Sequence, residues 1–480
     1  MKSPGYHQRR TKIVCTIGPA SGSASVMQRL IKAGMNVARL NLSHGTFKDH
    51  SRYIETVRKL SRRTGLDVAI LIDLPGPKYR IGRLKGGQVL LKKGSRVILT
   101  TEEIEGDESL LPVTLPNLSR DIKAGDTVIL DDGAMQLKVQ QVESNRIKCR
   151  VTVGGLLRQG RGLVVPGMRI SVPFTSDQLR ETLMFAIKQQ PDFLALSFVT
   201  SSGDINDVRA ILNENQVNIP IIAKIERGEA VNNFSSILAA SDGIMIARGD
   251  LGVEIPLERV PLIQKEIIKK CNRAGKPVIT ATEMLESMID SVRPTRAETT
   301  DVANAIFDGT DAIMLSAETA IGKYPVQSVK VMSSIARAAE KKLPYEDILS
   351  ERRSWLKRET DELISYNACQ TAYSLRGAAI VAFTQSGSTA TRVSKYRPGV
   401  PILALTPSDV VARRLILYWG VRTHRIAEPA SVDEMFAMAA GLSRELGIAG
   451  PGDIIIITAG IPIGEAGTTN MLKVERIGGG

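Results

Sequence analysis

The chain of 480 residues is poor in aromatic side chains and in cysteine, and each shortage excludes a class of protein. Aromatic residues make up 4% of the chain, and no basic run is interleaved with Phe or Tyr as a platform for stacking nucleic-acid bases would be. The cysteines lie far apart without a Cys-x-x-Cys pair, which argues against a zinc site and predicts a reducing compartment. We therefore expect a cytoplasmic protein.

Signals of membrane proteins and of several enzyme classes are also missing. No apolar run approaches the ~20 residues of a membrane-spanning helix, and the basic N-terminus lacks the apolar region of a signal peptide. There is neither a P-loop nor a Gly-x-Ser-x-Gly turn, so any nucleotide is held by other means and a serine hydrolase is not expected. The chain has 4 histidines, and His44 is the one that follows a strand of the predicted barrel.

The formal net charge of +13 indicates anionic partners. A basic balance of this kind suits either nucleic acid or phosphorylated metabolites. Because the base-stacking platform is missing, we favour a basic surface on an enzyme of phosphorylated substrates, with neither nucleic acid nor a membrane as partner.

Strand and helix patterns alternate in residues 1–74 and again in 172–350. Short alternating strands with turn residues fill 75–171, which reads as an inserted all-β domain. The 3 strands before the insertion and the 5 after it, including Gly243–Gly252, predict a (β/α)₈ barrel, and a doubly wound open sheet is the alternative. Residues 351–480 are predicted to form a separate open α/β domain.

Charged residues end two of the predicted barrel strands. Lys224 and Glu226 are two residues apart, so both point to one face of an extended strand, and Asp250 follows on the next strand. Carboxylates can hold Mg²⁺ and an ammonium can neutralise a transferring phosphoryl group. The pattern therefore favours Mg²⁺-assisted phosphoryl transfer, and a structural ion pair at the sheet edge is the other interpretation.

The chain resembles the pyruvate kinase family over nearly its whole length. The resemblance is carried by motifs that occur in the family's order: 39–45, 73–80, 224–226, 245–252, 280–288, 294–298 and 308–320. It implies transfer of phosphate from phosphoenolpyruvate to ADP, giving pyruvate and ATP, with Mg²⁺ or Mn²⁺ as cofactor. It also implies a homotetramer, and the inserted domain resembles the family's mobile lid.

The resemblance implies a role for each matching residue. Lys224, Arg39, Thr282 and Ser316 match catalytic positions, and the metal ligands match Glu226 and Asp250. Substrate contacts match Arg39, Gly249, Asp250 and Thr282, and nucleotide contacts match Arg80, His44 and Asn41.

A departure from many family members concerns K⁺. Those members hold K⁺ at positions matched here by Asn41, Ser43, Asp73 and Leu74, and they carry Glu where this chain has Lys78. The combination resembles the K⁺-independent branch. A lysine ammonium is a compact cation that can replace a monovalent ion, so we expect Lys78 to fill this position and K⁺ to be possible but not required.

A hydroxyl-rich loop in the C-terminal region resembles the family's effector pocket. Its residues are Thr384, Ser386, Gly387, Ser388 and Thr389, and the segment 460–470 would complete the pocket. Hydroxyls and a helix N-terminus can hold phosphate, so we expect a phosphorylated effector. The alternative is a capped helix without a ligand.

Two other functions compete with the kinase. A carbon–carbon lyase of the Mg²⁺–pyruvate barrel type also holds its metal with Glu and Asp, but it needs neither the inserted domain nor Lys224 beside Glu226. A catalytically inactive metabolite sensor or nucleic-acid binder would explain the positive charge, but the intact set of site residues argues against it.

Overall fold

The computed structural model describes residues 9–463 and 467–478. The chain divides into two compact units, which are described separately below. The first unit comprises Met1–Asp73, Gln189–Leu194 and Glu266–Gly480, and the second comprises Leu74–Lys188 and Ala195–Lys265.

The described chain begins with alternating strands and helices whose ends follow from local sequence. These elements are β1 (Lys12–Thr16), α1 (Ala24–Ala33), β2 (Val37–Asn41), α2 (Phe47–Thr64) and β3 (Ala69–Leu74). The Ser23 side chain accepts a hydrogen bond from Val26 N–H at the start of α1, and Gly34 ends that helix with a left-handed φ of 118°. A side chain other than glycine would be strained at that φ, so the sequence fixes where α1 stops.

The inserted region is an all-β domain with its own apolar core. Its elements are β4 (Tyr79–Arg80), β5 (Gln88–Leu91), β6 (Arg96–Thr100), β7 (Leu110–Pro112), α3 (Leu118–Asp121), β8 (Thr127–Leu130), β9 (Met135–Glu143), β10 (Arg146–Val153), β11 (Gly155–Arg158) and β12 (Gly162–Val164). One sheet has the order β4-β12-β8-β9-β10-β6-β7, and β5 pairs with β11. Alternate residues such as Val97, Leu99, Leu137 and Val139 are buried in the core, as expected for strands with one solvated face.

The strand–helix alternation then resumes. The strands are β13 (Phe193–Leu196), β14 (Ile221–Ile225), β15 (Gly243–Ala247), β16 (Val278–Ala281) and β17 (Ala312–Leu315). The helices are α4 (Asp177–Gln189), α5 (Ser202–Glu214), α6 (Gly228–Asn232), α7 (Phe234–Ala240), α8 (Arg248–Glu254), α9 (Val260–Ala274), α10 (Arg296–Phe307), α11 (Ala317–Ala320) and α12 (Pro325–Glu340).

Eight strands close into a barrel in the order β1-β17-β16-β15-β14-β13-β3-β2. The predicted (β/α)₈ barrel is therefore confirmed, and the open-sheet alternative is wrong for this region. One boundary needs correction, because the strand expected over Gly243–Gly252 ends at Ala247 and Arg248 begins helix α8. An apolar run that continues through small residues does not reveal where extended backbone gives way to a helical turn.

The C-terminal region is an open α/β domain. Its elements are α13 (Tyr345–Arg352), α14 (Thr360–Ser374), β18 (Ala379–Phe383), α15 (Ser388–Lys395), β19 (Ile402–Thr406), α16 (Asp409–Leu415), β20 (Val421–Arg425), α17 (Val432–Glu445), β21 (Ile454–Gly460) and β22 (Thr469–Arg476). The sheet order is β20-β19-β18-β21-β22. Ile380 and Ala382 pack into one core while Val381 and Phe383 pack into another, so both faces of the sheet are covered. No helix of the described residues is both long and apolar enough to cross a membrane.

Candidate active site

Lys224 and Glu226 form a buried ion pair at the carboxyl end of β14. The Lys224 Nζ atom lies 2.9 Å from Glu226 Oε1, and the two side chains are only 9% and 1% exposed. The shared face predicted from their spacing is therefore confirmed. Removing two charges from water is costly unless further polar groups compensate them, so the surroundings of the pair decide what it can do.

Two residues after strand β13 supply those polar groups, and neither was predicted from the sequence. Ser197 Oγ accepts a hydrogen bond from Lys224 Nζ at 2.7 Å, and Phe198 N–H donates to Glu226 Oε2 at 2.6 Å. Phe198 has a φ of 60°, a conformation that costs a bulky residue energy and that often occurs at functional sites. Their position directly after a buried strand, like that of Glu226, was the signal that could have found them.

Asp250 lies in the first turn of helix α8. It forms an ion pair with Lys78, which lies in the inserted segment of the same unit. The Lys78 Nζ atom lies 2.7 Å from Asp250 Oδ1 and 5.2 Å from the centre of the Phe198 ring. An ammonium group therefore already contacts one of the two carboxylates expected to hold a divalent cation. Gly249 precedes Asp250 in the same turn.

Two glycines fix the approach of the inserted segment to this cluster. A Cβ atom at Gly76 would lie 2.1 Å from the Ser197 carbonyl oxygen, and one at Gly162 would lie 2.9 Å from Lys78 Cε. Only glycine fits at residue 76, because the nearby atom belongs to the backbone and cannot move away. Arg80, expected at the nucleotide, donates from Nη1 to the Gly160 carbonyl oxygen at 3.0 Å.

In the first unit, Arg39 and Asp73 form a second buried ion pair. Arg39 donates to Asp73 Oδ2 from Nε at 2.8 Å, and its Nη2 lies 2.7 Å from the same oxygen. Arg39 Nη1 also donates to Thr16 Oγ1 at 2.9 Å. Thr16 was not selected from the sequence. These contacts hold the guanidinium of Arg39, on strand β2, in a fixed orientation in which its charge can meet an anion.

The segment after β2 carries the other residues of the motif 39–45. Asn41 Oδ1 accepts from Ser43 N–H at 3.1 Å, and the His44 carbonyl oxygen accepts from His50 Nε2 at 2.7 Å. The Asp73 carbonyl oxygen accepts from Leu42 N–H at 3.0 Å. In the second unit, the Leu74 carbonyl oxygen accepts from Ser197 N–H at 3.3 Å.

Thr282 and Ser316 follow the ends of β16 and β17 in the first unit. Thr282 has a φ of 64°, and its hydroxyl donates to the Ala281 carbonyl oxygen at 2.7 Å. Ser316 N–H donates to Glu318 Oε2 at 2.7 Å, whereas Ser316 Oγ is buried and has no partner among the described residues. Burial raises the pKa of Glu318 above its usual value. Backbone strain such as that of Thr282 often occurs at functional sites.

The donor set of the second unit fits a hard divalent cation. Glu226 and Asp250 offer carboxylate oxygens, and Mg²⁺ is usually held by one or two carboxylates together with substrate oxygens and water. Within residues 9–463 and 467–478, no cluster of three or more His, Cys, Asp or Glu side chains has the arrangement of a metal cage.

The hydroxyl-rich loop expected to hold an effector lies between β18 and α15. Thr384 Oγ1 accepts from Gly387 N–H at 2.9 Å, Ser386 Oγ donates to Ser388 Oγ at 3.1 Å, and Thr389 Oγ1 lies 2.8 Å from Thr469 Oγ1. A cavity beside the loop is also lined by Glu428, which accepts from Gln385 Nε2 at 2.6 Å. Residues 464–466 of the expected loop, including Glu465, lie outside the described residues.

Comparison with known proteins gives one consistent result. Residues 8–329 match the barrel domain of pyruvate kinase, and residues 362–475 match the alpha/beta domain of pyruvate kinase. The chain is 47% identical to a pyruvate kinase of Geobacillus stearothermophilus over 473 residues, covering 98% of this chain and 81% of that protein. It is 46% identical to a pyruvate kinase of Staphylococcus aureus over 472 residues, with the same coverage.

A crystal structure of a pyruvate kinase from Cryptosporidium parvum has the same fold. It superposes with a TM-score of 0.92 at 38% identity, covering 98% of this chain and 96% of that one. A family match over more than half of the chain, together with relatives of this identity, leaves no competing family. The chain belongs to the pyruvate kinase family.

Proposed function

We propose that this chain catalyses the last step of glycolysis, in which phosphoenolpyruvate and ADP give pyruvate and ATP. The observation that carries the proposal is the buried Lys224–Glu226 pair with its contacts to Ser197 and Phe198. A fixed ammonium beside a fixed carboxylate suits phosphoryl transfer, which depends on positioning and charge neutralisation more than on covalent catalysis.

Lys224 would neutralise the transferring phosphoryl group. Ser197 holds its ammonium at 2.7 Å, so the charge is already in place before the substrate binds. Arg39, fixed by Asp73 and Thr16, would bind the substrate phosphate. Gly249 and Asp250 would contact the substrate, and Arg80, His44 and Asn41 would contact the nucleotide.

The second step is protonation of the enolate left by phosphoryl transfer. Thr282 and Ser316 would orient the proton donor, and the orphaned Ser316 hydroxyl is available to hydrogen-bond a water or the substrate. Burial raises the pKa of Glu318, whose carboxyl group accepts from Ser316 N–H. Thr282→Ala should therefore reduce pyruvate release more than it reduces phosphate transfer to ADP.

Glu226 and Asp250 would hold Mg²⁺ or Mn²⁺. When bound, the cation supplies positive charge and orientation to the phosphate oxygens. The inserted all-β domain, residues 75–171, would act as a lid that excludes water from the transferring group.

Lys78 would supply the positive charge that K⁺ gives to many relatives, at the position of Asn41, Ser43, Asp73 and Leu74. Its ion pair with Asp250 fixes the ammonium within the second unit. The enzyme would then work without K⁺.

The loop of Thr384, Ser386, Gly387, Ser388 and Thr389 would bind an activating phosphorylated effector. The carboxylate of Glu428 lines the same cavity and would repel a second phosphate, which favours an effector with a single phosphate and hydrogen-bond donors elsewhere. We further propose a homotetramer located in the cytoplasm, with residues 1–74 and 172–350 as the catalytic domain and 351–480 as the regulatory domain.

The test is pyruvate formation from phosphoenolpyruvate and ADP in K⁺-free buffer, with and without Mg²⁺. We expect Mg²⁺-dependent activity that Lys224→Met lowers by about two to three orders of magnitude, as loss of a charge stabiliser does. Lys59→Met, an equal change at an exposed position of α2, is the matched control. The contrary result would be no activity even with sugar phosphates or nucleotides present, together with salt-sensitive retention of the protein on DNA. That result would favour an inactive metabolite sensor or nucleic-acid binder over a kinase.

A further inference from the structure

A basic cavity in the first unit is lined by none of the residues named above as site residues. Its volume is about 300 Å³, and it is lined by Arg9, Arg10, Arg337, Lys341, Arg422 and one acidic residue, Glu340. Residues 9 and 10 precede β1, residues 337–341 end helix α12, and Arg422 lies on β20. Five cations thus face one carboxylate around a single concave space.

The two arginines before β1 bond to neutral groups. Arg9 donates to the carbonyl oxygens of Thr11 and Gly34, at 2.7 and 2.6 Å, and to Asn36 Oδ1 at 2.5 Å. Arg10 donates to the Gly399 carbonyl oxygen and stacks on the Tyr345 ring, whereas its buried Nε has no partner in the described chain. Hydrogen bonds to neutral groups orient a guanidinium but do not cancel its charge.

Glu340 is the one acidic residue among the described residues that line the cavity, and its single charge can offset at most one of the five cations. Its two oxygens accept from the backbone N–H groups of Arg10 and Thr11, at 2.8 and 2.6 Å. Arg422 and Lys341 make no ion pair with any residue in the described ranges. The eight residues before Arg9 contain no Asp or Glu, so their side chains offer no carboxylate either.

The pKa of Lys12 reflects this excess of positive charge. It is buried, and its Nζ donates to the Val421 carbonyl oxygen at 2.5 Å. Burial, together with the positive charges of Arg9 and Arg422, lowers its pKa to about 7. The same two effects, burial and the charge of Arg10, lower the pKa of Arg422. The folded protein therefore holds like charges together at a cost in stability.

We propose that this cavity binds a small phosphorylated anion, either inorganic phosphate or a small phosphate monoester. A dianion would be attracted by all five cations, and the planar guanidinium groups of Arg10 and Arg422 match the spacing of phosphate oxygens. The volume lies at the lower end of the range for small-molecule sites and is too small for a nucleic-acid strand or a folded partner.

The experiment is isothermal titration of the metal-free full-length protein at constant ionic strength. Inorganic phosphate is titrated in one series and a three-carbon phosphate monoester in the other. Arg422→Gln and Lys341→Gln should each raise the Kd of the titrant for one class of sites, the one in this cavity, by at least about tenfold. Each substitution removes a charge-assisted hydrogen bond to the phosphate. Arg444→Gln, on the exposed face of α17, makes the same change in charge as Arg422→Gln and should leave binding unchanged.

The two titrants distinguish the sources of the phosphate group. Binding of inorganic phosphate alone identifies a free-phosphate site, and tighter binding of the monoester identifies a metabolite site. The double variant Ser386→Ala, Ser388→Ala separates this cavity from the proposed effector loop, because it should leave this class of sites intact. Identical isotherms for the wild type, Arg422→Gln and Lys341→Gln would overturn the proposal, and Lys341 is exposed, so its replacement does not endanger folding.

Discussion

Lys78 Nζ lies 2.7 Å from Asp250 Oδ1, an ion pair between residues 172 positions apart in the chain. The same ammonium faces the ring of Phe198. The backbone N–H of Phe198 donates a hydrogen bond to Glu226 Oε2. Lys78 therefore contacts one proposed metal ligand directly and the other through a single residue. A fixed ammonium therefore lies beside the proposed site of the divalent cation.

Replacement of Lys78 should change the response to K⁺. Wild-type activity should not change when K⁺ replaces tetramethylammonium at equal ionic strength, because the ammonium already supplies the charge. Lys78→Glu should be nearly inactive without K⁺ and regain activity when K⁺ is added. Lys85→Glu makes the same change at an exposed position of the inserted domain and should stay K⁺-independent. A wild type strongly activated by K⁺ would contradict this role.

Removal of the Lys78 charge should also tighten divalent binding. In the ion pair, the ammonium competes with a metal for Asp250 Oδ1. Lys78→Met should therefore bind Mn²⁺ several-fold more tightly in the absence of substrate, which paramagnetic resonance of free Mn²⁺ can measure. Asp250→Asn should bind it more weakly. Equal Mn²⁺ affinity in the wild type and Lys78→Met would mean that breaking the Lys78–Asp250 ion pair costs no free energy.

Ser197 should act as a positioning residue for Lys224. Its hydroxyl accepts from Nζ at 2.7 Å, and hydrogen bonds to charged groups are worth about 1.5–3 kcal/mol. We expect Ser197→Ala to lower kcat by roughly tenfold to a hundredfold while KM for ADP stays nearly constant. Ser235→Ala, at an exposed position of α7 in the same unit, is a suitable comparison. A loss confined to thermal stability, with kcat unchanged, would assign Ser197 a purely structural role.

Lys12 should make stability depend on pH. Its native pKa of about 7 lies below the usual 10.5, so the unfolded state binds the extra proton between these two pH values. Stability should therefore rise with pH across this window, by at most about 1.4 kcal/mol per pH unit. Lys12→Met should lack this rise, which urea midpoints measured from neutral to alkaline pH can detect. Parallel curves for the two proteins would show that Lys12 keeps its proton in the fold.

The four cysteines should be unreactive in the native protein. All are buried, and burial raises the pKa of Cys149 to about 12 and those of Cys15, Cys271 and Cys369 above the usual range. Because the thiolate is the reactive form, a thiol reagent such as DTNB should label none rapidly at neutral pH and all four in guanidinium chloride. Rapid labelling of one native thiol would reveal local opening around it.

Local patterns were sufficient for the strands and helices of the barrel, because each is signalled by its own residues, whereas closure of the sheet is seen only in the structure. Eight apolar runs separated by amphipathic segments predicted the (β/α)₈ architecture, and the period of two placed Lys224 and Glu226 on one face. The helix boundaries at Ser23 and Gly34 also followed from local chemistry. The end of β15 did not, because Ala247 and Gly249 are compatible with both strand and helix.

Only the tertiary structure decided which distant residues meet. Ser197 and Phe198 contact the Lys224–Glu226 pair, and Lys78 reaches Asp250, through contacts that no local pattern encodes. The cavity of Arg9, Arg337 and Arg422 is a further case, because its cations come from three separate segments. The sequence by itself determined the strands, the helices and the charges that end them, since these depend on neighbouring residues. The pairing of those charges depends on how the chain folds back on itself, and only the folded structure contains it.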